Sequence, residues 1–401
     1  MRVGISAEFN GTMKCGIASY TQNLLHGLSR LETEHRFYPY LAAAKARTLM
    51  PVAANIRPRL VRPYSAWLRV PLMLPAELLL RPVDLFHAAS GWAPPWCPAP
   101  IVATIHDLVF ETHPESYTRA MRWRLRWLVR ATAGRAVRVI TGSHSSADDL
   151  VRLYGVPVGK IRVLPDALDP DLAPVVDPDL TARVRARYAI GGPYILYLGV
   201  VEPKKNVDQL LRAYAVLRRE RGIPHRLVIA GRAGWLSGPI LKLVASLGLE
   251  RDVVLPGEVP QEDVAALYSG AAVFAYLSSA EGFGYPPLEA AACGTPVLAS
   301  DATALKEVLG DAALMVDPLR LDEVVDGLSR LLADDTLRGQ LRARGLARAR
   351  QFQAEAAARQ VVAVYEEAYA EIRAARTVNA DAAPARKRRS KHAAGGRPAG
   401  R

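Results

Sequence analysis

Residues 281–301, EGFGYPPLEAAACGTPVLASD, decide how this chain folds. Pro286 and Pro287 are tolerated in the first turn of a helix, because the amide groups there have no intrahelical partner. Tyr285 precedes a proline and is biased to an extended backbone, which predicts a helix that begins near Pro286. The apolar run at residues 296–300 predicts a buried strand after that helix. The stretch therefore reads as one loop–helix–strand unit of a parallel α/β sheet.

The same stretch has the features of a ligand site. The free amides of a first helical turn and the helix dipole favour an anion, and the flanking glycines let a ligand approach the backbone. Glu289, predicted in the first turn, and Glu281, in the loop before it, would accept hydrogen bonds from hydroxyl groups. An anion flanked by two such carboxylates describes a nucleotide diphosphate-sugar. The alternative is an ordinary loop-to-helix junction with a glutamate near the helix start.

Short apolar runs alternate with helix-length amphipathic segments along the whole chain, which is typical of parallel α/β proteins. The predicted strands are residues 3–8, 83–88, 101–106, 137–141, 194–199, 226–230, 253–256, 273–277, 296–300 and 314–317. A segment rich in Pro and Asp, residues 165–179, separates two halves. We expect the second half to be a doubly wound sheet that binds its ligand at the carboxyl ends of the strands.

Size and composition indicate a globular protein of two domains. The chain has 401 residues, of which 50% are hydrophobic and 23% charged. No N-terminal signal peptide is visible, and no apolar run reaches the roughly 18–20 residues of a spanning helix. Cys15, Cys97 and Cys293 have no spacing typical of a disulfide or a metal site, which suits a reducing cytoplasm. We therefore expect a cytoplasmic protein.

The net charge of +13 is concentrated in the first half and the tail. Residues 117–139 hold seven arginines and two tryptophans without an acidic residue. That pattern suits a helix lying on an anionic bilayer, or an ordinary helix with a basic solvent face. Residues 64–85 form an apolar, proline-interrupted stretch that would hold a lipid acceptor or simply pack. Residues 384–401 are predicted to be a disordered basic tail that contacts acidic lipids, attracts RNA or only solubilises.

Two D-x-D triplets lie in the segment between the halves, Asp169–Asp171 and Asp177–Asp179. A metal-binding carboxylate pair is one interpretation. Their prolines and their position between domains favour solvated turns instead. We therefore predict no metal site in this chain.

Further motifs occur in a fixed order along the chain. They are residues 16–20 (GIASY), 104–108 (TIHDL), 143–146 (SHSS), 161–165 (IRVLP) and 199–206 (GVVEPKKN). Together with residues 281–301 they resemble the retaining family-4 glycosyltransferases (glycosyl transferases group 1) of the GT-B fold, and in detail the mannosyltransferases among them. The resemblance covers nearly the whole chain apart from the tail.

This resemblance implies an α/β architecture of two Rossmann-like domains that face a central cleft. Residues 1–172 would bind the acceptor and residues 180–353 the nucleotide-sugar donor. A helix at residues 354–376 would cross back to pack on the first domain. The family requires no divalent metal and no cofactor, so the donor is a substrate and the reaction is expected to be metal-independent.

The resemblance also assigns roles in binding the donor phosphates. Lys205 matches the family's phosphate-contacting lysine, whose charge would stabilise the departing nucleoside diphosphate. Many members carry an arginine shortly after the preceding glycine, where this chain has Val200. Lys204 or Arg232 would supply the second charge. Gly16, in the first strand-to-helix loop, would let the diphosphate approach closely.

Other positions are implied to contact the sugar, the ribose or the acceptor. Glu289 would bind the ribose hydroxyls, and Glu281 would lie beside the donor sugar. Backbone atoms of Gly282, Phe283 and Gly284 would touch sugar hydroxyls and phosphate. His106, at the end of a predicted strand, would hold charge and geometry while the leaving phosphate takes the acceptor proton. Asp107 is the second choice, as the polar contact to the acceptor. The alternative for His106 is a purely structural role.

We therefore predict a retaining hexosyltransferase that moves mannose from GDP-mannose to a hydroxyl of a glycan or lipid-linked acceptor. It would be cytoplasmic and peripheral on the membrane, with no specific nucleic-acid partner. Alternatives are another GT-B enzyme, such as a nucleotide-sugar epimerase or a phosphorylase, and a dehydrogenase. The G-x-G-x-x-G expected of a dehydrogenase is missing. A non-catalytic nucleic-acid binder would rest on the basic tail alone.

Overall fold

The computed structural model describes residues 1–10, 15–232 and 238–393, with side chains as far as residue 377. Its strands form two sheets in which every paired strand runs parallel. The strands are β1 (Arg2–Ser6), β2 (Arg36–Leu41), β3 (Arg59–Leu60), β4 (Leu85–Ala88), β5 (Ile101–Thr104), β6 (Arg138–Thr141), β7 (Ile161–Val163), β8 (Tyr194–Leu198), β9 (Arg226–Ala230), β10 (Val253–Gly257), β11 (Val273–Tyr276), β12 (Val297–Ser300) and β13 (Ala313–Val316).

The first sheet has the order β3-β2-β1-β4-β5-β6-β7, and the second has the order β10-β9-β8-β11-β12-β13. Strands β4, β5, β11 and β12 are buried along their whole length, as parallel strands covered by helices on both faces must be. In each sheet the order reverses direction next to the first strand, at β1/β4 and β8/β11. Parallel sheets bind ligands at such a switch point, outside the carboxyl ends of the strands.

Helices cover both sheets. They are α1 (Gly16–Ser29), α2 (Ala66–Leu68), α3 (Leu74–Leu80), α4 (Val109–Thr112), α5 (Arg119–Arg135), α6 (His144–Tyr154), α7 (Pro178–Arg187), α8 (Val207–Arg221), α9 (Gly238–Ser246), α10 (Gln261–Ser269), α11 (Tyr285–Ala292), α12 (Ala304–Leu309), α13 (Leu321–Ala333), α14 (Asp335–Ala349) and α15 (Ala354–Ala393). No helix of the described chain is both long and apolar enough to cross a membrane.

All ten predicted strands are present, and three further strands were not predicted. Strand β2 contains Pro39, which cannot donate a hydrogen bond and argues against a strand when read in sequence. The structure accommodates it because β3 pairs only with Tyr40 and Leu41, at the end of β2. Strands β3 and β7 have two and three residues, too few for a recognisable pattern.

The segment between the sheets is built from local turns. Asp169 Oδ1 accepts a hydrogen bond from the amide of Asp171 (3.0 Å), and Asp177 Oδ1 accepts one from Asp179 (2.9 Å) at the start of α7. These are side-chain-to-backbone bonds that aspartate makes in turns. The boundaries predicted for the two domains stay predictions.

Helix α15 returns to the first sheet, as predicted for the crossing helix. Its Tyr365 hydroxyl bonds His87 Nδ1 of β4 (2.7 Å), and Glu367 pairs with Arg138 (3.1 Å) and with Arg162. The helix continues to Ala393, into the region predicted to be a disordered tail. Residues 394–401 lie outside the described residues, so that disorder stays a prediction.

Candidate functional site

The predicted loop–helix–strand unit is present, with α11 between β11 and β12. Gly284 has φ +96°, and a Cβ there would lie 2.3 Å from Leu305 Cδ2, so this position requires glycine. The helix begins at Tyr285, and the two prolines occupy its first turn. Glu289 is therefore the fifth residue of α11 and lies outside the first turn, one residue further into the helix than predicted.

The two halves of the chain meet at Gly282. A Cβ on Gly282 would lie 2.2 Å from the carbonyl oxygen of His106, so only glycine allows this approach. The carbonyl of Gly282 accepts a hydrogen bond from Ser143 Oγ (2.9 Å), and the amide of His144 donates to the carboxylate of Glu307. The loop before α11 thus rests against the carboxyl end of β5 and the start of α6. This contact puts Glu281 and His106 on either side of the junction between the two halves.

Lys205 and Glu281 form a buried ion pair. Lys205 Nζ contacts Glu281 Oε1 and donates to the hydroxyl of Tyr276 (2.7 Å), and that hydroxyl donates to Glu281 Oε1 (3.0 Å). The side chains of Lys205 and Glu281 are only 9% and 12% exposed. Burial raises the pKa of Glu281, but the charges of Lys205 and Lys204 lower it by more, so that the pKa is about 2. Two predicted site residues are thereby in direct contact, both charged.

Asn206 holds Lys205 in place. It has φ +49°, a left-handed conformation that asparagine tolerates better than most residues. Its Nδ2 donates to the carbonyl of Leu277 and to Ser279 Oγ, both at 2.7 Å. These bonds tie the loop after β8 to the loop after β11. They explain why asparagine follows the two lysines in the EPKKN motif.

The two candidates for the second positive charge have different surroundings. Lys204 Nζ lies 3.5 Å from Glu202 Oε1, and its side chain is 10% exposed. Burial and Lys205 lower the pKa of Lys204, but Glu281 and Asp107 raise it by more, so it is a charged group. Arg232 is exposed and follows β9, where its charge acts on Cys15 beside Gly16. Which of the two serves the donor stays a prediction.

Glu289 has the opposite electrostatic character to Glu281. Its Oε2 accepts a hydrogen bond from the hydroxyl of Tyr268 (3.0 Å). Burial raises its pKa to about 7, although the bond from Tyr268 lowers it. The two carboxylates therefore differ in protonation near neutral pH, with Glu281 ionised and Glu289 partly protonated. Such divergence of pKa between two carboxyl groups is characteristic of functional sites.

His106 is held at the carboxyl end of β5 by the first half of the chain. Its Nε2 donates to the carbonyl of Ala89 (2.9 Å), and its ring meets the Tyr20 ring edge-on at a centroid distance of 4.9 Å. A buried chain of hydrogen bonds continues from Tyr20 through Thr104 (2.8 Å) to His87 (2.7 Å) and then to Tyr365 of α15. The crossing helix thus supports the packing beneath His106.

Asp107, the second choice beside His106, has a local role. Its Oδ1 accepts a hydrogen bond from the amide of Val109 (3.0 Å) at the start of α4. Gly16 begins α1 across from α11, where a Cβ would lie 3.7 Å from the Tyr285 ring. Phe283 is buried, with its ring against Tyr285 (5.2 Å) and Phe352 (5.6 Å). Its side chain therefore fills the junction of the two halves.

Three residues of the site were missed by sequence reasoning. Tyr276 ends a strand and reads as core. Thr303 has φ +47° and its Oγ1 accepts a bond from the amide of Glu281 (3.0 Å), a strained conformation that a β-branched residue adopts at a cost of about 1–3 kcal/mol. Asp166 is 3% exposed, and burial raises its pKa to about 6 while the charge of His106 lowers it. Its signal was its place directly after the IRVLP motif, where it was included in the segment between the two halves.

Comparison with known proteins places most of the chain among sugar-transferring enzymes. The sequence model described as Glycosyltransferase Family 4 matches residues 15–172, and that described as Glycosyl transferases group 1 matches residues 183–348. O-antigen chain mannosyltransferase B of Escherichia coli is 33% identical over 312 residues, which are 74% of this chain and 81% of that protein. MMP alpha-(1->4)-mannosyltransferase of Mycolicibacterium hassiacum is 33% identical over 288 residues, 69% of this chain and 67% of that protein.

The chain spans only 31% of a third relative, the serotype-specific mannosyltransferase WbdA of Escherichia coli, at 28% identity. Among solved structures, Anabaena HepE in complex with UDP and glucose superposes with a TM-score of 0.72 at 19% identity, over 92% of this chain and all of that one. WaaG, a glycosyltransferase involved in lipopolysaccharide biosynthesis, superposes with a TM-score of 0.68 at 17% identity, over 90% of this chain and 98% of that one. These structures establish a common two-sheet fold.

Proposed function

Because the chain belongs to the family-4, group 1 glycosyltransferases, we propose that it transfers mannose from GDP-mannose to a hydroxyl of an acceptor. It is a hexosyltransferase of the GT-B fold. The donor sugar, the retention of configuration and the independence from metal are our proposals. The acceptor would be a glycan or a lipid-linked glycan. A glycan acceptor is supported by the name of the relative O-antigen chain mannosyltransferase B.

The observation that carries this function is the contact between Gly282 and the His106 carbonyl. It brings the Lys205–Glu281 pair of the second sheet opposite His106 of the first sheet. A nucleotide-sugar bound between them would present its diphosphate to Lys205 and its sugar to Glu281. In the transfer, the bond between the anomeric carbon and the β-phosphate oxygen breaks. The acceptor oxygen bonds to that carbon on the same face, and its proton passes to the leaving phosphate.

Each residue in this proposal has a physical task. Lys205 is already charged and desolvated, so it would stabilise the negative charge that develops on the leaving phosphate without rearranging solvent. Glu281, ionised beside it, would accept hydrogen bonds from the sugar hydroxyls. Glu289, the fifth residue of α11, would accept hydrogen bonds from the ribose hydroxyls. His106 Nε2 is engaged by Ala89, so its Nδ1 is the atom that would face the reacting groups.

A thermal-shift screen against GDP-mannose, UDP-glucose and ADP-glucose tests the donor. GDP-mannose should raise the melting temperature, since a ligand that binds only the folded state stabilises it by mass action. Glu289→Gln should weaken that shift. Stabilisation by UDP-glucose alone would overturn the choice of GDP, and no shift with any of the three would overturn the assigned donor site. If the nucleotide-sugar recovered after incubation with the enzyme carried a changed sugar, the enzyme would be an epimerase.

We further propose that the enzyme is cytoplasmic and peripheral on the membrane. The support is the positive charge of the first half, where residues 1–190 carry 24 basic and 15 acidic side chains, and of residues 384–401. Basic segments are attracted to anionic lipid headgroups. Cell fractionation with a salt wash tests this. A peripheral enzyme should stay with the membrane fraction at low salt and be released at high salt. An enzyme that is absent from the membrane fraction at low salt as well would contradict the proposal.

A further inference from the structure

The first half of the chain exposes a large apolar surface beside a row of arginines. We call it the apolar–basic surface and define it as residues 64–80, which contain α2 and α3, together with α5. Trp67 is 75% exposed, Trp123 70% and Leu80 81%. Its other exposed large apolar side chains are Tyr64, Leu68, Leu72, Met73, Leu79, Met121 and Trp127. Single exposed apolar residues are ordinary, but a contiguous cluster marks a site of interaction.

One contact joins the two segments. The guanidinium of Arg124 in α5 lies 5.7 Å from the ring centroid of Trp67 in α2. This contact joins the apolar side chains of residues 64–80 to those of α5. It also puts a positive charge within the apolar area.

The charge on this surface has one sign. Arg122 and Arg126 pair with Glu111, but Arg119, Arg124 and Arg130 are exposed. Among the ion pairs of the described residues, none engages these three. The single acidic residue of the two segments, Glu77, is paired with Arg81 (3.4 Å). The surface therefore offers uncompensated positive charge next to exposed Trp, Leu and Met.

We propose that the apolar–basic surface docks on a bilayer that contains anionic phospholipids. Tryptophan and leucine side chains enter the headgroup region, and the three arginines contact lipid phosphates. A second copy of the chain is disfavoured as the occupant, because a symmetric contact would set arginine against arginine. Nucleic acid is disfavoured because leucine and methionine side chains gain nothing from a phosphate backbone.

The place of this surface relative to the cleft gives the docking a consequence. Helix α5 packs on α4, the short helix that follows Asp107: Arg122 and Arg126 pair with Glu111 of α4. Just before α5, the ring of Tyr117 meets that of Phe110 of α4 edge-on, at a centroid distance of 6.3 Å. A docked molecule therefore holds the mouth of the cleft close to the bilayer. This consequence, which rests on the proposed function, is that a lipid-linked acceptor reaches His106 without leaving the membrane.

Vesicle co-sedimentation of the full chain tests the docking itself. The vesicles are phosphatidylcholine alone, and phosphatidylcholine and phosphatidylglycerol in equal parts. The charge variant is Arg119→Gln/Arg124→Gln/Arg130→Gln, and its matched control in the second half is Arg183→Gln/Arg212→Gln/Arg251→Gln. At about 1 kcal/mol per arginine, the charge variant should bind the anionic vesicles roughly a hundredfold more weakly. The control should bind as the unchanged chain does.

An apolar variant separates insertion from simple charge attraction. Trp67→Ser/Leu72→Ser/Trp123→Ser should lose at least tenfold in binding, whereas Leu241→Ser in α9 should not. Full binding by either surface variant overturns the proposal, as does loss of binding only when residues 384–401 are deleted. A dimer in light scattering that both surface variants abolish, without vesicle binding, overturns it in favour of self-association.

Melting temperature and the donor-induced thermal shift are measured on every variant. Both should stay unchanged, because the substituted side chains are exposed and lie outside the donor site. A chain that binds vesicles but no nucleotide-sugar would refute the proposed function and leave the docking intact. A chain that binds the donor but no vesicle would refute the docking and leave the proposed function intact.

Discussion

The buried pair of Lys205 and Glu281 permits a quantitative test. Glu281→Gln removes the negative charge and keeps the shape of the side chain. The fall of the Glu281 pKa from 4.5 to about 2 corresponds to about 3 kcal/mol, since one pKa unit is about 1.4 kcal/mol. Because the folded-state pKa is lowered, this stabilisation is complete above pH 4.5 and is lost as the pH falls towards 2. At pH 7 the free energy of unfolding of the variant should therefore be about 3 kcal/mol lower than that of the unchanged chain.

A double-mutant cycle isolates the pair from other effects of the substitution. Lys205→Met leaves Glu281 buried without its cation, and the double variant removes both charges. The coupling between the two positions, measured by urea unfolding followed with circular dichroism, should be about 2–3 kcal/mol. The matched control is the exposed pair of Lys306 and Asp301 (3.1 Å), for which the cycle Lys306→Met/Asp301→Asn should give less than about 1 kcal/mol.

The outcome of this cycle decides whether the site is preorganised. A coupling in the buried pair no larger than that in the exposed control would refute the charged, desolvated arrangement of Lys205. The cycle also bears on the proposed chemistry. With Glu281 neutral, Lys205 lacks its competing anion, so we expect Glu281→Gln to bind GDP more tightly in calorimetry while it turns over donor more slowly.

Three further predictions concern the site. Glu289 has a raised folded-state pKa, so its contribution to stability is complete below pH 4.5 and lost as the pH rises to about 7; urea unfolding of Glu289→Gln should show a flatter pH dependence across that window, and parallel curves would contradict the raised pKa. His106→Ala should lower kcat about a hundredfold in a transfer assay with nearly unchanged melting temperature, whereas a variant that loses only thermal stability would favour a structural histidine. Transfer should survive EDTA, and a strict requirement for Mg²⁺ or Mn²⁺ would contradict the metal-free mechanism.

Much of the fold was predictable because its signals are local. Every strand of the second sheet was predicted, since each is a short apolar run next to a turn. The failures were also local in origin: Pro39 masked β2, and β3 and β7 were too short to show a pattern. The place of Glu289 was wrong by one residue, which puts it outside the first turn, because the positive φ of Gly284 lets the helix begin one residue before the first proline.

The site was predictable only where a motif contains its own chemistry. The lysines of residues 199–206 and the glutamates of residues 281–289 were found because strand ends in a parallel sheet converge on one edge. Tyr276 and Asp166 were not found, since a tyrosine in a strand and an aspartate in a linker carry no signal of their own. Their roles arise from side chains that are distant in sequence and adjacent in space.

The amino-acid sequence by itself determined the two sheets, the crossing helix and the set of polar residues around the cleft. Ten strands and the last helix follow from hydrophobic periodicity and from turn residues, which act within a few neighbours along the chain. The crossing of that helix and the roles of the polar residues came from the resemblance to a known family. Only the tertiary structure decided that Glu281 is ionised against Lys205 while Glu289 is partly protonated near neutral pH. It also decided that ten apolar side chains and three arginines of residues 64–80 and α5 are exposed. Burial and charge pairing depend on which distant segments pack together, and a single segment contains no record of that.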